Sequence, residues 1–271
     1  MSTSENPDLP LALSNLQAFA DRLAGKRLAV FLDYDGTLTP IVDTPEQALL
    51  SEAMRDTLRR LGEVCVLAIV SGRAMANVRQ KVELDELSYA GDHGFEIQTA
   101  SGDTIRHEQG EAFMEQVQSA TALLEGKLAG IQGALVEPKK FSLSVHYRLV
   151  SDADYPTVEQ AVNEAVASHD KLRLHHGKKV FEIRPKIDWH KGKAVLWLLQ
   201  ALQLGDDVLP LYVGDDTTDE DAFRALAEND RGMGVLVADP ARPSAAHFRV
   251  HDVDEAQQFL EALIGLAKGG K

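Results

Sequence analysis

Ala29-Val30-Phe31-Leu32-Asp33-Tyr34-Asp35-Gly36-Thr37-Leu38-Thr39 decides the fold of this chain. Four apolar residues rich in β-formers end abruptly in Asp-x-Asp-Gly-Thr. That is the pattern of a buried parallel strand whose C-terminal tip presents two carboxylates before a glycine turn. Ligand sites in open α/β sheets lie outside the carboxyl ends of the strands. Asp33 and Asp35 have no adjacent Lys or Arg and repel each other unless a cation joins them. A hard, oxygen-binding ion such as Mg²⁺ meets that need. An isolated Asp-x-Asp is more often an acidic turn after an edge strand, so the remainder of the chain must choose between the two.

Working outward, 64–70 is a second buried apolar run, broken by Ser71-Gly72-Arg73, and 208–213 is another, ending in Gly214-Asp215-Asp216. Helical apolar spacing covers 11–23, 46–61 and 74–82, and 88–90 is a short strand. Beyond residue 190 come helices over 191–202, 219–228 and 255–267 and strands over 234–237 and 247–250. This alternation predicts a doubly wound parallel sheet. The middle differs: helices over 112–128 and 153–168 alternate with strand pairs 133–137/141–147 and 171–175/180–183. An α-β-β-α-β-β order predicts a small hairpin sheet covered by two helices. The expected class is therefore α/β: a doubly wound, Rossmann-like core in two parts, 1–107 and 188–271, interrupted by an inserted α+β domain over 108–187.

A chain of 271 residues can bury a proper core, and its net charge of −14 offers no basic face to nucleic acid or an anionic membrane. An anionic substrate would have to be met by local cations or a metal. The single cysteine, Cys65, excludes an internal disulfide and a Cys-rich metal site, and its apolar neighbours make it a small core residue. Residues 1–10 carry no signal-peptide pattern, and no apolar run approaches a membrane span. The expectation is a soluble, cytoplasmic monomer that acts on a small molecule, with no nucleic-acid or membrane partner.

Three apolar strands thus end in polar groups: Asp33 and Asp35; Ser71; and Asp215, Asp216 and Asp219, with Lys191 opening the helix ahead of the last. In this chain order the set resembles the haloacid-dehalogenase-type (HAD) phosphatase superfamily. The resemblance implies that Asp33 is the nucleophile, forming an aspartyl-phosphate. Asp35 would protonate the leaving alkoxide and then deprotonate water. Ser71 and Lys191 would hold phosphoryl oxygens. Mg²⁺ would be held by the set Asp33, Asp35 (through its carbonyl), Asp215 and Asp219, the last also able to orient metal waters or Lys191. Lys191 and Lys193 can both reach inward; the family's Lys-Gly-x-x-x-Leu spacing selects Lys191. Asp216, next to Asp215 at a strand end, points the other way. Asp43, Asp206 and Asp207 are taken as solvated loop residues.

Further segments resemble the trehalose-6-phosphate phosphatases of that superfamily, which carry a type C2 cap. They are Gly91-Asp92-His93-Gly94, Val136-Glu137-Pro138-Lys139-Lys140-Phe141-Ser142, Val145-His146-Tyr147-Arg148, Gly177-Lys178-Lys179-Val180-Phe181-Glu182-Ile183-Arg184-Pro185 and Gly214-Asp215-Asp216-Thr217-Thr218-Asp219-Glu220. The implied reaction is hydrolysis of trehalose 6-phosphate to trehalose and phosphate. Sucrose 6-phosphate and mannosyl-3-phosphoglycerate are rival substrates; a phospho-accepting receiver and a non-catalytic sugar-phosphate sensor are rival classes. Gly72, Arg73, His93, His146, Arg148, Lys178 and Glu182 are the candidate substrate-binding residues. Carboxylate, ammonium and guanidinium groups bind sugar hydroxyls by charge-assisted hydrogen bonds, and His146 and Arg148 share one strand face. Lys139, Lys140, Lys179 and Arg184 fit a solvent face. His175 and His176, adjacent on a strand, face opposite sides and make no metal pair. Two linkers, 106–110 and 184–188, would hinge an open–closed cycle.

Overall fold

Strand β1 (Arg27–Leu32) is buried from Leu28 onward, and a strand apolar on both faces belongs in the middle of a parallel sheet. In the computed structural model, which describes residues 8–106 and 113–269, it lies between β2 (Val66–Val70) and β10 (Val208–Gly214), parallel to both. The chain divides into two compact units, one running to Ile105 and resuming at Trp189, the other Arg106–Asp188.

In the first unit the sheet order among the described residues is β12 (Phe248–Val250), β11 (Met233–Val237), β10, β1, β2, β3 (Ser88–Gly91), β4 (Glu96–Gln98), β5 (Thr104–Arg106). Successive β1 side chains go to opposite faces, as strand geometry requires. Leu28, Val30 and Leu32 join a core with α1 (Leu16–Leu23), α2 (Glu52–Gly62), α3 (Met75–Val82) and α8 (Val253–Gly269). Ala29 and Phe31 join a second core with α6 (Lys191–Ala201) and α7 (Glu220–Ala227). The winding is double. Register pairs Leu32 with Val213 and with Ile69, and the Asp33 N–H extends the ladder to Val213 O at 2.9 Å. Asp33, Ser71 and Asp215 therefore leave the sheet along one edge.

The structure departs from the sequence expectation in three places. The sheet is not wholly parallel: β4 runs antiparallel to β3, and β4 and β5 close that edge. Their short, polar sequences hold no apolar run. The helix expected over 46–61 begins at Glu52, where Ser51 Oγ accepts the Met54 N–H at 3.1 Å as an N-cap. Ahead of it, the Ala48 carbonyl accepts from Tyr34 OH at 3.0 Å and Lys81 Nζ at 3.1 Å, contacts that a continuous helix would forfeit. The helix expected from residue 11 starts at Leu16, because Leu11 bridges to Arg249 of β12.

In the second unit β6 (Leu135–Pro138), β7 (Leu143–His146), β9 (Val180–Pro185) and β8 (Leu172–Gly177) form an antiparallel sheet in that order. Helices α4 (Met114–Leu128) and α5 (Tyr155–Ala167) pack on one face through Val117, Leu124, Val158 and Val162 against Leu143, Val145, Phe181 and Ile183. Strand register places Glu137, Ser144, Glu182 and His175 in one row across the other face. Of the expected hinges, 106–110 lies outside the described residues from 107 on; in 184–188 the Lys186 N–H donates to Lys171 O at 2.7 Å. No helix among the described residues is long and apolar enough to cross a membrane.

Candidate active site

Beyond β1 the chain turns on Gly36, whose φ of +83° is left-handed. A Cβ there would fall 2.1 Å from Asp215 Oδ2, so glycine lets the loop after β1 and the tip of β10 come together. Asp33, Asp215 and Asp219 gather with one oxygen each within 4.8 Å of one another, all three buried. Lys191, at the start of α6 and 3% exposed, reaches Asp33 Oδ1 and Asp219 Oδ1, both at 2.7 Å. The ammonium of Lys191 thus enters the cluster.

Asp219 is fully engaged. Its Oδ1 accepts from Lys191 and, at 2.6 Å, from Tyr212 OH; its Oδ2 accepts the N–H groups of Asp215 at 3.0 Å and Asp216 at 2.9 Å. Four bonds use the lone pairs of both oxygens. Asp219 thus holds Lys191 and the β10 tip in place, and with Asp33 and Asp215 it is one of the three carboxyl groups whose oxygens could hold a metal ion. Tyr212 was not legible as a site residue: it occupies a buried apolar strand, where a tyrosine reads as core.

Burial, reinforced by Asp219 and Asp215, pushes the Asp33 carboxyl well above the usual range against the pull of Lys191. Burial alone would lower the Lys191 ammonium, but Asp219 and Asp33 outweigh it and hold its pKa above the ordinary value. Burial likewise opposes ionisation of Asp219, and Lys191 with the Tyr212 and backbone hydrogen bonds overcomes it. Three buried carboxyl groups gather beside the Lys191 ammonium. The donors are hard oxygens, so the group is compatible with a metal cation.

Asp35 does not join that cluster. Both its oxygens accept from the Arg73 guanidinium, Oδ2 from Nε and Oδ1 from Nη2, each at 2.7 Å. Ser71, 1% exposed, accepts the Arg73 N–H on Oγ at 3.1 Å. Gly72 lies against the His93 ring, where a Cβ would be 2.5 Å from Cε1. Asp92 and His93 both have left-handed backbones, and their N–H groups donate to Arg73 O and Ser71 O. This strained hook fastens the loop after β3 to the loop after β2. His93 is 4% exposed.

In the second unit, His146 Nε2 lies 2.7 Å from Glu137 Oε2, and Arg148 Nη2 donates to Lys178 O at 2.7 Å, bringing those two residues together. Glu182 pairs with Arg184. Lys139 Nζ donates to Ser144 Oγ at 2.8 Å, so it joins the polar row instead of an open solvent face.

Comparison with known proteins follows the same lines. A family model described as trehalose-phosphatase matches residues 31–254. A probable trehalose-phosphate phosphatase 2 of Oryza sativa subsp. japonica is 42% identical over 276 residues, covering 94% of this chain and 72% of that protein. Among solved structures, the C-terminal domain of C. albicans trehalose-6-phosphate phosphatase has a TM-score of 0.80 at 24% identity, covering 95% of this chain and 98% of that one. A haloacid dehalogenase-like hydrolase from Bacteroides thetaiotaomicron has a TM-score of 0.59 at 16% identity, covering 88% of this chain and 99% of that one. At these identities the two structures speak for the fold.

Proposed function

The chain belongs to the trehalose-phosphatase family, and from that premise we propose that it hydrolyses trehalose 6-phosphate to trehalose and phosphate with Mg²⁺ as its metal. The observation that carries the proposal is the buried Asp33–Lys191 contact inside a cluster of carboxylates at the tip of β1.

Asp33 attacks phosphorus through a carboxylate oxygen, the bond from phosphorus to the sugar oxygen breaks, and Asp35 gives its proton to the departing alkoxide. Asp35, now a carboxylate, takes a proton from water; the hydroxide attacks phosphorus and the bond to Asp33 breaks, releasing phosphate. Lys191 and Ser71 hold phosphoryl oxygens, on which charge spreads in the transition state. Asp33, Asp215 and Asp219, with the Asp35 carbonyl, would hold the metal, which when bound would neutralise charge between nucleophile and substrate. Asp219 and Tyr212 fix Lys191. Glu182, His146, Arg148 and Lys178 supply partners for sugar hydroxyls.

The −14 charge disfavours polyanionic partners and self-association and supports a monomeric enzyme of small molecules as part of the same proposal. The test is phosphate release from trehalose 6-phosphate, sucrose 6-phosphate, glucose 6-phosphate and mannosyl-3-phosphoglycerate, with Mg²⁺ and with chelator. Preference for the trehalose ester, lost with chelator and in Asp33→Asn, is expected. Turnover of another ester alone would replace the substrate; full activity of Asp33→Asn would remove the nucleophile.

A further inference from the structure

Arg73 stood among the substrate-binding candidates, and its surroundings give it different work. Its side chain is 7% exposed. Nε and Nη2 grip Asp35; Nη2 also donates to Pro45 O at 2.9 Å, and Nη1 donates to Asn77 Oδ1 at 3.0 Å. These bonds commit Nε, Nη1 and Nη2 to protein. The guanidinium carbon stands over the Tyr34 ring, 5.3 Å from its centroid, and Tyr34 is itself fixed by its hydroxyl on Ala48 O. The Arg73 backbone is pinned at both ends, N–H to Ser71 Oγ and carbonyl to the Asp92 N–H at 2.7 Å. A planar fork held from the loop after β2, from α3, from the 44–47 turn and from Tyr34 has little freedom left. Asp35, by contrast, is 38% exposed and is steered by that fork.

From this geometry we infer that Arg73 is a positioning residue for the acid–base group Asp35 rather than a substrate ligand. Bidentate pairing fixes a carboxylate in plane as well as in place, which a point charge cannot do. Delivery of a proton to the alkoxide then requires one of the two N–H···O bonds to open, while the other keeps the carboxyl aimed at the phosphoryl site. The inference rests on the phosphatase reading above.

The test exploits leaving groups. Trehalose 6-phosphate expels a strongly basic alkoxide that needs a proton, whereas p-nitrophenyl phosphate expels a phenolate that does not. Since kcat/KM reports the steps up to phosphoenzyme formation, Arg73→Met should lower it about 100-fold or more for the sugar ester, within the span of a general-acid contribution. The loss on the aryl ester should stay below about fivefold, and the KM for the sugar ester should hold within about twofold. Added guanidinium ion should restore part of the loss in Arg73→Ala, and Arg73→Met should cost nothing further in an Asp35→Asn background.

Equal losses on both esters would overturn the inference in favour of a structural or phosphate-binding role, and a raised KM with unchanged kcat would make Arg73 a substrate ligand. If Arg73→Met fails to fold, judged by its thermal melt, Arg73→Lys replaces it: Lys keeps the charge and loses the fork, and the same unequal loss is expected. A wild-type protein that turns over neither ester would refute the phosphatase reading itself, a result distinct from all of these.

Discussion

Gly36 and Asp215 approach so closely that a Cβ on the glycine would fall 2.1 Å from the aspartate's Oδ2. The carboxylate at the tip of β10 keeps its place only because the loop after β1 carries no side chain there. Gly36→Ala adds the strain of a left-handed backbone to this overlap and must displace Asp215. We expect a fall in kcat of about 100-fold or more, the scale of a displacement near 1 Å at a reacting centre. Steady-state kinetics with a thermal melt as folding control would check it, and near-native kcat would refute the steric argument.

Tyr212→Phe removes one hydrogen bond from Asp219 and leaves volume almost unchanged. A hydrogen bond to a charged group is worth roughly 1.5–3 kcal/mol, so urea unfolding should show a loss of that order. Lys191, sharing the same carboxylate oxygen, should lose part of its fixation, and kcat should fall while KM changes little. An unchanged unfolding midpoint would mean that the hydroxyl contributes nothing to Asp219.

Glu182→Ala leaves the reacting centre intact and removes one carboxylate from the polar row of the second unit. kcat/KM for trehalose 6-phosphate should fall about 10–100-fold, the worth of one or two charge-assisted hydrogen bonds, with p-nitrophenyl phosphate much less affected. Equal losses would take Glu182 out of sugar recognition.

Stability should fall in mild acid through His247. Its Nδ1 accepts the Gly234 N–H at 3.1 Å, and burial, with a further push from Arg22, lowers its pKa from 6.5. The unfolded chain therefore takes up a proton below about pH 6.5 while the folded ring resists, and the unfolded state gains on every step down until the folded pKa is reached. Stability is full above that window and declines within it. His247→Asn offers an oxygen in place of Nδ1 and should show a flatter pH dependence over the same range; parallel curves would remove His247 as the cause.

Cys65 is half-buried, its Sγ donates to Leu61 O at 3.3 Å, and burial pushes its thiol up to about 12. At pH 8 the thiolate is scarce, so an aromatic disulfide reagent should react slowly with native protein and fully in urea. Rapid native reaction would contradict this.

The legible part of the molecule was the part written in long apolar runs. Asp33, Ser71 and Asp215 each follow such a run, and parallel strands put their ends on one edge, so their convergence followed from topology alone. What the residues do to one another was hidden. Arg73 was recognisable as a cation near a phosphate loop, but its grip on Asp35 depends on rotamers and on a turn at Pro45 that no pattern specifies. Tyr212 was masked by its strand. The β4–β5 edge was missed because short polar strands carry no period-two signal, and the late start of α2 because Ala48 is claimed by partners distant in sequence.

β1 has one neighbour in the first third of the chain and the other in the last, since Arg27 pairs with Val208 across the sheet while Ala29 pairs with Val66. During synthesis the strand that bears Asp33 therefore waits with one hydrogen-bonding edge open until the whole Arg106–Asp188 unit has been made. An apolar strand with a bare edge is a template for wrong pairing. Shortened chains that end before β10 should aggregate through this open edge rather than persist as partly active fragments.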